Sequence, residues 1–357
     1  ITQAQFSLQN TPPVLWIVRS LARVTLAGAY QARGELARAY ETVYGGIDDE
    51  PGQDNALKAT TFLTACNLHW IAADMSGLFA AASTCVECCD QPHEGQIERH
   101  ARQHLGSVHY LQDDLGAAKA QFQEVVRQPY RNYGDAFANS AFGLSLIHQA
   151  QKSPEKGSQV AKLAVAYTLE TGNMTLLPVA NAFQAELALR QGNVALASQW
   201  AEQFESAPPL GLMFTFYEPR LTLVKTWLAQ DTQSSRRQAS DYLDQLRTFV
   251  QSTHNKRILI DVLALSAMLQ AAEGHESAAL ASLTQALELA EPGAIIRPFV
   301  DLGEPMARLL QHVVVQDGSP EYLRRTLSAF DGSSIASGHP QLPGDLIEPL
   351  TTREMEV

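Results

Sequence analysis

Cys85-Val86-Glu87-Cys88-Cys89, with His93 close behind, is the most metal-like grouping in the chain. A C-x-x-C pair plus a histidine could supply zinc ligands. The same spacing falls within one helix of a repeat, where Cys is a small packing residue. Packing is therefore the expected role, for Cys66 as well, and no metal is expected. Histidines crowd the same region on both sides: His69-Trp70, His100 with Arg102 and His104, and His109-Tyr110. No H-E-x-x-H occurs, since His275-Glu276 lacks its second histidine. Gly143-Leu144-Ser145-Leu146 lacks the closing glycine of a nucleophile elbow and the strand before it. There is no G-x-x-x-x-G-K-[ST], and no Gly-Lys pair at all, so no phosphate-cradling loop. No nucleophile–base pair or cofactor motif emerges. The expectation is a protein that senses or docks something, without enzymatic activity and without a cofactor.

What would position binding groups is a repeat. Gly34, Leu36, Ala39 and Val43 form a pattern of turn, apolar, small and apolar residues at fixed offsets. Gly77, Phe79, Ala82 and Val86 fit it, as do Asp113, Leu115, Ala118 and Phe122, and Gly192, Val194, Ala197 and Ala201. Gly274, Ala279 and Leu283 give it again, with Glu276 at the position that is usually apolar. The turn residue reverses the chain, the small residue lets two helices approach, and the large one fills the groove between them. The turns are 43, 36, 79 and 82 residues apart. Each double-length gap should hide one degenerate repeat, near Ser153-Pro154-Glu155 and Gln230-Asp231. This predicts an all-α superhelical solenoid of about seven tetratricopeptide-like (TPR-like) helix pairs over 1–291. Two capping helices, Pro305 to Val315 and Pro320 to Phe330, follow within 292–331. The stretch 332–349, rich in Gly, Ser and Pro, reads as a linker.

First helices of such a solenoid face its concave side. Counting back from the turns directs Asn67, Asp74, His100, Gln103, Tyr110, Glu186, Tyr217 and Arg220 toward that groove. Aromatic rings with a few polar groups suit a sugar-sized or peptide ligand, although a solvated helical face would have the same composition. Phe214-Thr215-Phe216-Tyr217 reads more readily as core than as site.

The final eight residues, Leu350-Thr351-Thr352-Arg353-Glu354-Met355-Glu356-Val357, resemble the opening of the LuxR-type helix-turn-helix. Ala286 to Gly293, Arg297-Pro298-Phe299-Val300-Asp301-Leu302-Gly303 and Met306 to Leu310 are similar to the repeat-end region of large ATP-binding, MalT-like regulators of that family. Tyr322, Leu327 and Phe330 continue the likeness. It spans roughly 14–357 and is strong over 255–357. In that family a nucleotide-binding module precedes the repeats and a DNA-binding module follows them. The resemblance therefore implies a central effector-sensing domain, with a small-molecule inducer or a protein partner in the groove and the ATPase and DNA-binding domains as neighbours. A protein-interaction scaffold without a small ligand is the alternative.

Charge and composition set limits. With 26 Lys and Arg against 38 Asp and Glu, the net charge is −12, which repels a phosphate backbone and argues against nucleic-acid binding by this segment. No run is long and apolar enough for a membrane span, and no signal peptide is evident. Four cysteines in 357 residues do not make a disulfide framework, and a cytoplasmic location is expected.

Overall fold

The computed structural model describes residues 1–12, 15–48, 55–89, 95–131, 134–204, 216–317 and 321–331. The expected linker, the LuxR-like terminus, His93, Phe214 and Thr215 lie outside them. The described residues form helices and no strands. After α1 (Thr2–Asn10) come seven hairpins, as the repeat spacing predicts. They are α2 (Trp16–Ala32) with α3 (Leu36–Asp48), α4 (Asn55–Ile71) with α5 (Met75–Cys88), and α6 (Gly95–Leu111) with α7 (Leu115–Val126). Then come α8 (Gly134–Ala150) with α9 (Pro154–Glu170), α10 (Leu177–Arg190) with α11 (Val194–Glu202), α12 (Pro219–Gln230) with α13 (Gln233–Ser252), and α14 (Lys256–Ala272) with α15 (Glu276–Ala290). A short α16 (Arg297–Val300), α17 (Glu304–Asp317) and α18 (Glu321–Ser328) complete the described chain.

Each hairpin turns on one residue in the left-handed region: Gly34, Ala73, Asp113, Lys152, Gly192, Asp231 and Gly274. Their separations are 39, 40, 39, 40, 39 and 43 residues. Except after Asp231, where the Thr232 N–H donates to the Ser235 hydroxyl, the next residue's N–H reaches back to the carbonyl five positions earlier, as in Glu35 to Tyr30 (2.9 Å), Asp114 to His109 (2.8 Å) and Ser153 to His148 (2.8 Å). This satisfies an orphan carbonyl of the first helix. That residue then caps the second helix where its side chain allows. Asp74 accepts from the Gly77 N–H, Asp114 from Ala117 and Asn193 from Leu196. Gly77 is therefore not the second repeat's turn residue: it lies in the first turn of α5, and the left-handed residue is Ala73.

The small residue five positions after the turn is buried at Ala39, Ala118, Ala197 and Ala279. In the fourth repeat it is Gly157, where a Cβ would stand 2.9 Å from the Ser145 carbonyl oxygen. Phe122 shows what fills the space between helices. Its fully buried ring lies against Gly106 of α6 and Gly143 of α8, and a Cβ on either would come within 2.6 Å of it.

The superhelix closes on itself. The loop after α13 sits on the first hairpin: Gln31 Nε2 donates to the Thr253 carbonyl (2.9 Å), and the His254 ring occupies the space a Cβ on Gly34 would need. The loop after α15 sits on the second and third. A Cβ on Gly293 would lie 2.7 Å from the Ala73 carbonyl oxygen, and the Ile296 N–H donates to the Leu111 carbonyl (2.7 Å). Gly34 to His254 and Ala73 to Gly293 are both 220 residues apart, whereas Leu111 to Ile296 is 185, so the returning turn bridges more than one repeat at the seam. The Arg257 guanidinium stands 5.4 Å over the Trp70 ring in the same seam. Farther along, α17 packs on α15 and α18 on α17.

Candidate functional site

The concave side is built from first helices, and its charges come from positions one helical turn apart. Glu186 and Arg190 on α10 are one such pair, with Nε to Oε1 at 2.9 Å. Arg257 and Asp261 on α14 are another, at 2.9 Å. Arg297 and Asp301, at the two ends of α16, are the third and are also hydrogen-bonded. Residues four apart share a helix face, so each pair aims both charges the same way.

The first and third of these pairs join into a chain across the groove. Glu186, almost fully buried, accepts from Lys225 Nζ (2.8 Å) and the Thr222 hydroxyl (2.8 Å) as well as from Arg190. Arg190 Nη2 lies 3.3 Å from Asp301 Oδ2, which also accepts the Tyr110 hydroxyl proton at 2.6 Å. Arg297 reaches Asp113 at 3.1 Å and stands 5.3 Å over the Tyr110 ring. Burial alone would raise the Glu186 carboxyl, but Lys225 and Arg190 outweigh it and hold it at about 2. Asp301 follows the same logic: burial opposes ionisation, yet Arg190 and Arg297 keep it well below the usual carboxylate range. Burial and the adjacent Asp301 push the Tyr110 phenol up. Asp261 goes the other way, since its burial exceeds what Arg257 returns.

A cavity of about 80 Å³ lies inside this network. Four basic side chains (Arg190, Lys225, Arg257, Arg297) and four acidic ones (Glu186, Glu218, Asp261, Asp301) line it, together with Tyr110, Phe216 and Tyr217. The lining is electrically balanced. The Nε atoms of Arg257 and Arg297 are buried and have no hydrogen-bond acceptor among the described residues.

Of the residues expected in the groove, Tyr110, Glu186 and Tyr217 meet at this cavity, although they come from three different repeats. Tyr217 also packs against Phe142 and Phe183 and hydrogen-bonds Thr222 (2.7 Å), so it belongs to core and cavity wall at once. Arg220 turns instead to Glu218, at 3.0 Å. The other four are elsewhere. Asp74 caps α5 and holds His69 Nδ1 at 2.7 Å. Asn67 donates to the Leu63 carbonyl. Gln103 is fully buried and bonded to Ser107. His100 stacks on the buried His104, ring centroids 5.2 Å apart, and lies 3.9 Å from Asp135.

Sequence reasoning missed Arg190, Lys225, Arg257, Asp261, Arg297 and Asp301. A signal was present for five of them: opposite charges four apart beside strongly apolar runs such as Leu187-Ala188-Leu189 and Ile258-Leu259-Ile260. Among the described residues no group of three His, Cys, Asp or Glu is arranged to hold a metal, and no helix is long and apolar enough to cross a membrane. Cys85 is buried and donates to the Ala59 carbonyl oxygen, and Cys66 is buried in the main core.

Seven helix hairpins wound around a concavity lined by their first helices define a TPR-type repeat domain. A family model for the MalT-like TPR region matches residues 1–316, and the chain belongs to that family. No curated protein matches it.

Proposed function

We propose that this is the effector-sensing regulatory domain of a LuxR-family transcription regulator, and that its effector acts from the concave groove. The observation that carries the reading is the convergence of paired charges from α10, α12, α14 and α16 on one cavity, beside Tyr110 of α6. Packing alone does not call for such a network, because buried ion pairs contribute little net stability against apolar residues of similar size. At about 80 Å³ the cavity is smaller than the roughly 300–1,000 Å³ of a drug-sized ligand site. A sugar-sized effector would enter only by displacing a wall, and Arg297, Pro298, Asp301 and Leu302 make up one wall. A ligand that prefers the displaced arrangement shifts the population toward it. That change would pass to the adjoining ATPase and DNA-binding modules.

A thermal-shift screen of small metabolites tests this. The expected result is a compound that stabilises the wild-type chain and not the Lys225→Ala variant. Stabilisation undiminished by Lys225→Ala would place the site elsewhere. Stabilisation by peptides or proteins alone would favour a scaffold.

A further inference from the structure

Asp301 is bound as a ligand would be. Its carboxylate receives donors from three elements: the Tyr110 hydroxyl of α6 at 2.6 Å, Arg190 of α10 at 3.3 Å, and Arg297 at the start of α16. Two arginines and a phenol converging on one carboxylate form a ready-made anion site. The group that fills it belongs to a short segment laid across the groove after the last repeat. That segment is held on its other side by Ile296 N–H to Leu111, by Gln112 Nε2 to the Gly293 carbonyl (3.0 Å), and by Arg297 to Asp113. The surroundings are not saturated, since the buried Nε donors of Arg257 and Arg297, both lining the same cavity, have no acceptor among the described residues.

We propose that Asp301 is an internal surrogate for an anionic effector. On this view the effector carries a carboxylate or phosphate that takes Arg190 and Tyr110 from Asp301, and in doing so frees the 294–302 segment from α6. The proposal rests on reading the concavity as the effector site, and it adds the effector's chemical class and the contact it breaks. No covalent change is involved. One anion replaces another on the same donors, and the tethered one leaves with its segment. Arg190, Lys225 and Arg257, which stay behind when Arg297 leaves with its segment, could serve an incoming group with more than one anionic oxygen, which a single tethered carboxylate cannot match.

Chemical rescue in the full 357-residue chain tests it. Asp301→Ala removes the surrogate and is expected to lower Tm by roughly 5 °C, because it leaves buried guanidinium charge uncompensated. Sodium acetate and inorganic phosphate, in separate titrations against chloride at matched ionic strength, should restore much of that loss saturably. Their ratio tells whether the site prefers carboxylate or phosphate. Adding Arg190→Gln should abolish the rescue. Should Asp301→Ala fail to fold in chloride, refolding from urea into acetate, phosphate or chloride poses the same question, read by helical circular dichroism. Equal behaviour in all three anions overturns the surrogate. In the rescued variant the Ile296 amide should exchange faster than in the wild type, because a free anion bridges Tyr110, Arg190 and Arg297 without the covalent tie that Asp301 gives the segment. Wild-type protection there would overturn the release step. Neither result depends on finding an effector, so a barren metabolite screen and a failed rescue remain separate outcomes.

Discussion

Gly143 and Phe122 offer a direct test of how the repeats are held together. A methyl at Gly143 would meet the Phe122 ring at 2.3 Å, a separation that real contacts do not sustain. Phe122 is fully buried and also pressed by Gly106 on the neighbouring first helix, so its ring has nowhere to retreat. Overpacking costs about 1–3 kcal/mol, and so short a separation puts this case in the upper part of that range, about 2–3 kcal/mol. Replacing a mid-helix glycine by alanine returns about 1 kcal/mol of helix propensity. Gly143→Ala should therefore destabilise the domain by about 1–2 kcal/mol. Phe122→Ala alone should cost about 3–5 kcal/mol through lost burial and the cavity it leaves. In that background the Gly143 methyl points into vacated space, the clash is gone, and the propensity gain remains. The double-mutant cycle should then show a coupling of about 2–3 kcal/mol, with Gly143→Ala changing sign between backgrounds. Urea unfolding followed by far-ultraviolet circular dichroism, compared at constant m, reads all four corners. An equal cost in both backgrounds would mean that Gly143 is not there to admit Phe122, and that the account of helix spacing in the third and fourth repeats is wrong.

Lys152→Gly, at an exposed turn with φ 55°, should stabilise by about 0.5–1 kcal/mol, because glycine adopts the left-handed region without the Cβ penalty; an unchanged urea midpoint would count against it. Burial depresses both His100 and His104, with Asp135 partly offsetting this at His100 and the charge of His100 adding to it at His104. Their contribution is complete above the ordinary histidine value of about 6.5 and should decline as pH falls below it, since the unfolded chain takes up those protons first. A second decline, from Glu186 and Asp301, should begin as the pH falls into the usual carboxylate range, where the unfolded chain takes up protons first. Melting temperatures recorded from pH 8 to pH 3 should show both, and a flat profile between pH 7 and pH 5 would refute the histidine part. With its net charge of −12, the isolated chain should leave duplex DNA unshifted in a gel at low salt.

Much of the fold was legible because a hairpin of helices needs a left-handed residue, and glycine announces one. Gly34, Gly192 and Gly274 gave the period. Ala73, Lys152 and Asp231 occupy the same conformation with side chains that carry no such signal. Hence the second repeat reads four residues late from sequence, and two others appear only as gaps. The cavity was half legible. Tyr110, Glu186 and Tyr217 follow from repeat geometry, but Arg297 and Asp301 reach the groove only because the superhelix returns upon itself. A pattern of local offsets holds no information about which turns meet some two hundred residues apart.

That returning contact also bears on how such a chain can evolve. Open repeat arrays can lengthen or shorten by whole units, since each unit touches only its neighbours. Here Gly34 must meet His254, and Ala73 must meet Gly293. Duplicating or deleting one unit of about 40 residues anywhere between those partners would bring a different surface to each seam. Placed after Tyr110, it would also carry Asp301 out of reach of that residue. The number of repeats in this domain is thus fixed by closure, as the number of strands is fixed in a barrel.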